Sequence, residues 1–169
     1  TLVHEFRQAG GHYMQARVEP PSAGAGPLAS LRTAAGETIG AGQFVFAAGP
    51  WLPRLFPDIL ARRIRATRQE VFFFRPPSGD LRFLPASLPG WADFNGGSLF
   101  YGMPDLEARG FKIAYDPHGA EVDPDQGDRT TSPEMLARVR AYMARRFPAL
   151  ADAPLNETRV CQYENSSNG

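Results

Sequence analysis

The chain has 169 residues, 18 acidic and 18 basic side chains, and a single cysteine. The formal net charge is zero, so the chain has no excess of positive charge with which to bind nucleic acid or an anionic membrane. No apolar run is long enough to span a bilayer. One cysteine excludes an internal disulfide framework and predicts a reducing, cytoplasmic location, while the length suits one domain or slightly more.

The first forty residues read as the end of a helix followed by a small antiparallel meander. Residues 2–9 favour a helix that Gly10 and Gly11 close. Short strands are predicted next, at residues 12–18, 28–33 and 37–39. Because the chain begins at Thr1 inside the helix and stops at Gly169 just after a strand, we expect a fragment of a longer protein.

Residues 43–49 are almost continuously apolar and end in small side chains. This composition predicts a buried strand covered on both faces, as in a parallel α/β sheet. Ala48 and Gly49 at its end would let a backbone or a cofactor approach closely. A tight turn into a short helix, predicted at residues 51–56, is an equally good explanation of these small residues.

The remainder of the chain predicts a sheet and one long helix. Strands are expected at residues 69–74, 99–101, 111–116 and 156–164, with a hairpin turn at Asn95-Gly96-Gly97. Ser132 and Pro133 are typical of a helix start, and the apolar spacing extends that helix to Arg146. The predicted class is α+β, a mixed and largely antiparallel sheet with helices on one face, joined to part of an α/β domain.

Lys112 is the only lysine among the 18 basic residues. The alternation of its strand places Phe111, Ile113 and Tyr115 on one face of the sheet and Lys112 on the other. A compact ammonium group can shift its pKa, whereas a guanidinium group cannot. Lys112 is therefore a candidate functional residue, and a solvated strand lysine is the plain alternative.

Five short motifs occur in the order in which one known family carries them: Ala47-Ala48-Gly49-Pro50-Trp51, Arg68-Gln69, Tyr101-Gly102-Met103-Pro104, Gly110-Phe111-Lys112 and Arg159-Val160-Cys161-Gln162-Tyr163. The chain resembles the FAD-dependent amine oxidases of the D-amino-acid-oxidase-like class, in particular the monomeric sarcosine oxidase and N-methyltryptophan oxidase group. Each motif is weak alone, but their order makes the set specific. The similarity extends from about His12 to Tyr163.

The resemblance implies a role for each matching residue. Lys112 would face the flavin and activate oxygen, because a fixed cation stabilises the negative charge that develops as an electron reaches O₂. Cys161 would bond to the flavin through its sulfur, and the nearby cation of Arg159 would favour the reactive thiolate by lowering the pKa of the thiol. The alternative is that Cys161 is simply a small buried apolar residue. Tyr101 and Tyr163 would line the substrate cavity, and otherwise read as core or strand tyrosines. Further cofactor contacts are implied at Ala48, Gly49 and Trp51.

Two departures from the family pattern concern the substrate pocket. Asp116 stands where sarcosine oxidases place a histidine after the lysine strand, and a carboxylate there changes the charge near the amine. Asp116 is therefore a candidate pocket residue, and sarcosine itself becomes a less expected substrate. After Tyr163 the chain continues with a polar, amide-rich segment, residues 164–169, which could alter the pocket mouth.

The resemblance also implies a division into domains: residues 1–50 as a partial FAD-binding domain, 51–160 as the substrate-binding domain, and 161–169 as the start of a return into the FAD-binding domain. No G-x-G-x-x-G phosphate-binding loop follows a first strand, so most phosphate contacts of the cofactor are missing and this stretch alone is expected to be inactive. The three histidines lack the spacing of metal ligands.

For the whole protein the resemblance implies oxidation of a secondary amine or an N-methyl amino acid, with FAD as cofactor and O₂ as electron acceptor. The expected partners are therefore a small amine and O₂, with neither nucleic acid nor membrane. Two alternatives are a flavin dehydrogenase of the same fold that uses another acceptor, and a non-catalytic ligand-binding module.

Overall fold

The computed structural model describes residues 2–21, 26–94 and 97–166. The chain divides into two compact units, Thr1–Arg62 and Arg63–Gly169, which are taken separately below. Within the described ranges, no helix is both long enough and apolar enough to cross a membrane.

The first unit contains short elements only: α1 (Leu2–Gln8), β1 (Ser30–Arg32), β2 (Thr38–Gly40), α2 (Leu52–Leu55) and α3 (Pro57–Leu60). The predicted N-terminal helix is confirmed, and the positive φ of +86° at Gly10 explains why it ends there. Strands β1 and β2 pair antiparallel, as the meander predicted. The short helix expected at residues 51–56 appears as a 3₁₀ turn at Gly49–Trp51 that leads into α2.

Two strand predictions in this unit are wrong. Residues 12–18 contribute a single bridge, between Val18 and Thr33, and residues 43–49 form no strand. Val45, in the middle of the expected buried run, is 92% exposed. An apolar run becomes a strand only when another strand accepts its backbone hydrogen bonds, and within the described chain none pairs with residues 43–49.

The second unit is a five-stranded sheet with one long helix: β3 (Ile64–Phe74), β4 (Trp91–Asp93), β5 (Phe100–Met103), β6 (Phe111–Tyr115), α4 (Pro133–Arg146) and β7 (Leu155–Ser166). The strand order is β4-β5-β6-β3-β7, and every neighbouring pair is antiparallel. The α+β class is therefore confirmed. Two residues of the predicted hairpin turn, Asn95 and Gly96, lie outside the described residues. The strands on either side of this turn, β4 and β5, pair antiparallel as a hairpin requires.

One face of the sheet forms the main core beneath α4. The helix begins where the Ser132 hydroxyl accepts a hydrogen bond from the backbone nitrogen of Met135, at 3.2 Å, in an N-cap that the sequence predicted. Its apolar side buries Val139, Tyr142 and Met143. Against them pack the even-numbered residues of β3 and the odd-numbered residues of β6, which are Phe72, Phe74, Phe111 and Ile113.

The opposite face carries a smaller apolar cluster of Val71, Phe73 and Ala114, with Tyr101 and Cys161 packed against it. Lys112 lies on this face because its register partner in β3 is Phe73 and side chains alternate along a strand. The predicted separation of Lys112 from the apolar side chains of its own strand is confirmed. This helix-free face holds the candidate site.

Candidate functional site

A cleft of about 260 Å³ opens on the helix-free face of the second unit. Val71 and Phe73 of β3 form its apolar floor. Residues 103–110, the end of β5 and the loop that leads to β6, bound one side, and β7 bounds the other. The cleft thus combines a flat apolar floor with polar groups supplied by the flanking strands.

Lys112 lies in the cleft, where its ammonium nitrogen is 5.4 Å from the centroid of the Tyr101 ring. The negative face of an aromatic ring attracts such a cation and orients it. The strand register places Lys112 opposite Phe73 on one side and Met103 on the other. Its stem is therefore held between two neighbouring strands, while the charge faces the cleft.

Cys161 lines the same cleft from β7 and carries a free thiol. It lies opposite Gln69 of β3, a side chain that is only 3% exposed. The Gln69 amide donates a hydrogen bond to the backbone oxygen of Tyr115 and so ties β3 to β6. The structure thus brings together a thiol and an ammonium group that are 49 positions apart in the sequence.

Tyr101 and Tyr163 are joined by a hydrogen bond between their hydroxyl groups. Burial raises the pKa of Tyr101 far above its ordinary value, and the bond to Tyr163 adds to this effect. Burial likewise raises the pKa of Tyr163. Both phenols are therefore neutral at physiological pH, and they form a polar pair on the cleft face of the sheet.

Asp116 follows β6 directly and extends its pairing, since its backbone nitrogen donates to the carbonyl oxygen of Leu99 at 2.8 Å. The alternation of the strand places Asp116 on the face of Lys112 and Ala114. The negative charge of Asp116 adds a smaller contribution to the raised pKa of both Tyr101 and Tyr163. Burial raises the pKa of Asp116 itself, and the charge of His118 opposes that effect.

A charged cluster that the sequence did not reveal borders the cleft beside Lys112. The Arg109 guanidinium donates to both carboxylate oxygens of Glu157, at 2.9 and 3.1 Å, and lies 4.4 Å from the centroid of the Phe73 ring. Arg159 donates to the same carboxylate at 2.5 Å. Hydrogen bonds from Arg109 and then Arg159 lower the pKa of Glu157. Arg159 therefore binds a carboxylate, and the effect on Cys161 that the resemblance implies for it stays a prediction.

The three other predicted cofactor residues, Ala48, Gly49 and Trp51, belong to the first unit. Gly49 has a φ of +51° at the start of the 3₁₀ turn, a conformation that suits glycine. The role of these three residues stays a prediction.

The Arg109–Glu157 pair of the second unit had no signal in the sequence, because its members are 48 positions apart and only the pairing of strands brings them together.

Comparison with known proteins gives a consistent result. The profile of the family described as FAD dependent oxidoreductase (DAO) matches residues 1–167. The monomeric sarcosine oxidase of Bacillus sp. (strain NS-129) is 27% identical over 139 residues, which are 80% of this chain and 35% of that protein. The enzyme of the same name from Bacillus sp. (strain B-0618) is 28% identical over 130 residues, 73% of this chain and 32% of its own length. The chain thus spans about a third of the length of these relatives.

Solved structures show the same fold. A mutant of Amadoriase I from Aspergillus fumigatus superposes with a TM-score of 0.74 at 20% identity, covering 96% of this chain and 40% of that one. Iminodiacetate oxidase from Chelativorans sp. BNC1 superposes with a TM-score of 0.71 at 17% identity, covering 98% of this chain and 42% of that one.

Proposed function

The chain belongs to the FAD dependent oxidoreductase family, and from this premise we propose that the whole protein oxidises a secondary amine or an N-methyl amino acid and passes the electrons to O₂. The observation that carries the proposal is the cleft that Lys112 and Cys161 line together. The named activities of the relatives, among them sarcosine oxidase and iminodiacetate oxidase, support an amine as the substrate.

The residues of the cleft suit a flavin. The floor of Val71 and Phe73 offers a flat apolar surface, and the edges offer an ammonium group and a thiol. When bound, the flavin supplies a two-electron acceptor for the C–N bond of the amine and a donor of those electrons to O₂. We propose the domain division that the family resemblance implies. Residues 51–160 form the substrate domain, and residues 1–50 and 161–169 are parts of the FAD-binding domain. In the first unit, Ala48, Gly49 and Trp51 are the proposed further contacts.

Lys112 would act on oxygen. The half-buried Lys112 would hold a positive charge at a fixed place in the cleft, where it would stabilise negative charge that develops on O₂. Tyr101 keeps this charge in position through its ring face. The neutral Tyr101–Tyr163 pair contributes hydroxyl groups to the substrate side of the same face without adding charge.

Cys161 is the proposed attachment point of the flavin through sulfur. Cys161 would hold the group through a thioether that replaces its thiol proton and one hydrogen of a ring methyl group, and O₂, the acceptor proposed above, would take up the two electrons and two protons released. Acid precipitation of the full-length protein followed by peptide mapping tests this link. Colour retained on the peptide that contains Cys161 would support it, and flavin released into the supernatant would contradict it.

The test of the main proposal is the Lys112→Met variant of the full-length protein. Anaerobic reduction of the flavin by an amine is expected to proceed at nearly the normal rate. Reoxidation by O₂ is expected to slow by a factor of about 10² to 10³, the usual effect of removing one preorganised charge-stabilising donor. Stopped-flow absorbance of the flavin measures the two half-reactions separately.

The control is Arg138→Met, which also replaces a cation by an apolar side chain but lies on α4, on the opposite face of the sheet. It should leave both half-reactions unchanged. Equal reoxidation rates in the Lys112→Met variant and the wild type would refute the role of Lys112 and favour an acceptor other than O₂. A full-length protein that contains no flavin would refute the oxidase altogether and favour a ligand-binding module.

A further inference from the structure

The cleft is lined by more positive charge than the proposed function uses. Among the described residues that line it, three side chains are cations, Arg109, Lys112 and Arg159, and none is acidic. The carboxylate of Glu157 binds both guanidinium groups, and these hydrogen bonds lower its pKa, so it is ionised at neutral pH. Because two guanidinium groups share one carboxylate, the cluster of Arg109, Glu157 and Arg159 keeps an excess of positive charge at the cleft wall.

Arg109 is held against the floor of the cleft. Its guanidinium carbon lies 4.4 Å from the centroid of the Phe73 ring, and the Phe73 side chain is only 6% exposed. In the strand register Phe73 lies opposite Lys112 on one side and opposite Glu157 on the other. The charge of Arg109 is therefore fixed over an apolar surface, where water screens its field less than in open solvent.

The loop that carries Arg109 has a second attachment, which needs no charge. The side-chain amide of Asn156 on β7 donates a hydrogen bond to the backbone oxygen of Arg109, at 2.7 Å. This bond would form with any side chain at position 109. The ion pair between Arg109 and Glu157 therefore adds charge to the cleft wall as well as strength to the anchor. An arginine keeps that charge at every physiological pH.

We propose that the cluster of Arg109, Glu157 and Arg159 raises the reduction potential of the flavin. The inference rests on the proposed function, because it assumes that a flavin binds over the floor of this cleft. An amine that becomes an imine loses two electrons and two protons. Two electrons and one proton pass to the flavin, and the second proton passes to solvent. The flavin thereby gains negative charge, which fixed positive charge beside it stabilises.

The two arginines contribute unequally. The Arg159 side chain is 58% exposed and that of Arg109 is 36% exposed, so water and salt screen the charge of Arg159 more strongly. Arg109 should therefore supply the larger part of the effect. Glu157 is a positioning residue, because it holds two like charges together at the cleft wall, and its own negative charge opposes part of their effect.

The reduction potential of the full-length, flavin-loaded protein tests the inference. Anaerobic equilibration with a dye of known potential measures it without turnover. Arg109→Gln removes one positive charge and should lower the potential by about 30 mV, which is a tenfold change in the equilibrium between oxidised and reduced flavin. Glu157→Gln removes the negative charge of the same cluster and should raise the potential. Damage to the shape of the cleft would shift both variants in the same direction, so the opposite signs distinguish charge from damage.

Four further variants separate charge from anchoring. Arg109→Lys keeps the charge and should keep a potential close to that of the wild type. Asn156→Ala removes the neutral attachment of the loop and should leave the potential unchanged. Arg138→Gln removes a cation from α4, on the opposite face of the sheet, and should also leave it unchanged. Arg159→Gln lies on β7 rather than in the loop, should lower the potential less than Arg109→Gln, and provides the test if the Arg109 variants do not fold.

Three results would overturn the inference. The first is a shift of the same sign in Arg109→Gln and Glu157→Gln, and the second is an unchanged potential in Arg109→Gln and Arg159→Gln. The third is a shift in Asn156→Ala as large as that in Arg109→Gln, which would show that the position of the loop sets the potential. A full-length protein without flavin would refute the proposed function and this inference together. Because the potential is measured against a dye, the inference can also fail while the amine still reduces the flavin.

Discussion

The loop that borders the cleft is fixed by one glycine whose replacement has a calculable cost. Gly110 directly precedes β6 and has a φ of +107°. A Cβ atom added there would lie 2.7 Å from the backbone oxygen of Phe74. Gly79 offers a matched comparison in the same unit, because it also has a positive φ, +78°, but a Cβ atom would meet nothing within 4 Å. The two alanine variants therefore share the backbone strain and differ in the steric clash.

The expected free energies of unfolding follow from this difference. An alanine in the left-handed region costs about 1–2 kcal/mol, which is the whole effect expected for Gly79→Ala. Gly110→Ala should cost about 1–3 kcal/mol more, the usual range for overpacking. The obstacle is a backbone carbonyl group of β3, which cannot move aside as a flexible side chain could.

Urea unfolding of the full-length protein, followed by tryptophan fluorescence, measures both variants. If the two variants lose the same stability, the contact with Phe74 is not tight and the reasoning is wrong. A displaced Gly110 would also shift Arg109, which directly precedes it, and Lys112, which follows two residues later. The O₂ half-reaction of Gly110→Ala should therefore slow, while that of Gly79→Ala should not.

Two other variants test the helix face. Ser132→Ala removes the N-cap of α4 and a hydrogen bond to Glu70, so it should destabilise the protein by about 1 kcal/mol in the same urea assay, and Ser132→Thr, which keeps the hydroxyl group, should recover most of that loss. Tyr142→Phe removes the donor that lies 2.7 Å from Asp93, at an expected cost of about 1.5–3 kcal/mol. Burial, with this hydrogen bond, raises the pKa of Tyr142 to about 12 from an ordinary value near 10, so its contribution is complete below pH 10 and disappears as the pH rises through 12. The stability difference between wild type and Tyr142→Phe should shrink over that interval, and a constant difference would contradict this explanation.

The parts of the fold that the sequence predicted are those governed by local rules. The long helix was predictable because Ser132 caps it and Pro133 begins it, two features that act within one turn. The faces of β6 were predictable because alternation along a strand is strict. These signals need no knowledge of the rest of the chain.

The failures concern partners that are distant in sequence. The sequence predicted a strand that begins at Gln69, whereas β3 begins at Ile64, because its polar first half is held by pairing with β7 rather than by an apolar pattern. Residues 43–49 show the opposite error, since they have the pattern of a strand and no partner within the described chain. Strand identity depends on the neighbour as much as on composition.

The same distinction applies to the candidate site. Lys112 was notable from composition alone, as the only lysine of the chain. The hydrogen bond between Tyr101 and Tyr163 crosses 62 positions, and the Arg109–Glu157 pair crosses 48, so neither leaves a local pattern. The family resemblance suggested the two tyrosines, and nothing suggested Arg109, because its role depends on the position of β7.

The candidate site and the main core are two consequences of one register. In β6, Phe111 and Ile113 pack in the core under α4. Because side chains alternate along a strand, Lys112 and Ala114 must then point to the opposite face, which carries the cleft. A shift of one residue would bury the ammonium group of Lys112 beneath the helix and expose two large apolar side chains, which is strongly unfavourable. The burial that stabilises the sheet therefore also fixes the direction of the charge. It follows that core substitutions that preserve this register should leave the chemistry of the cleft intact, even where they reduce stability.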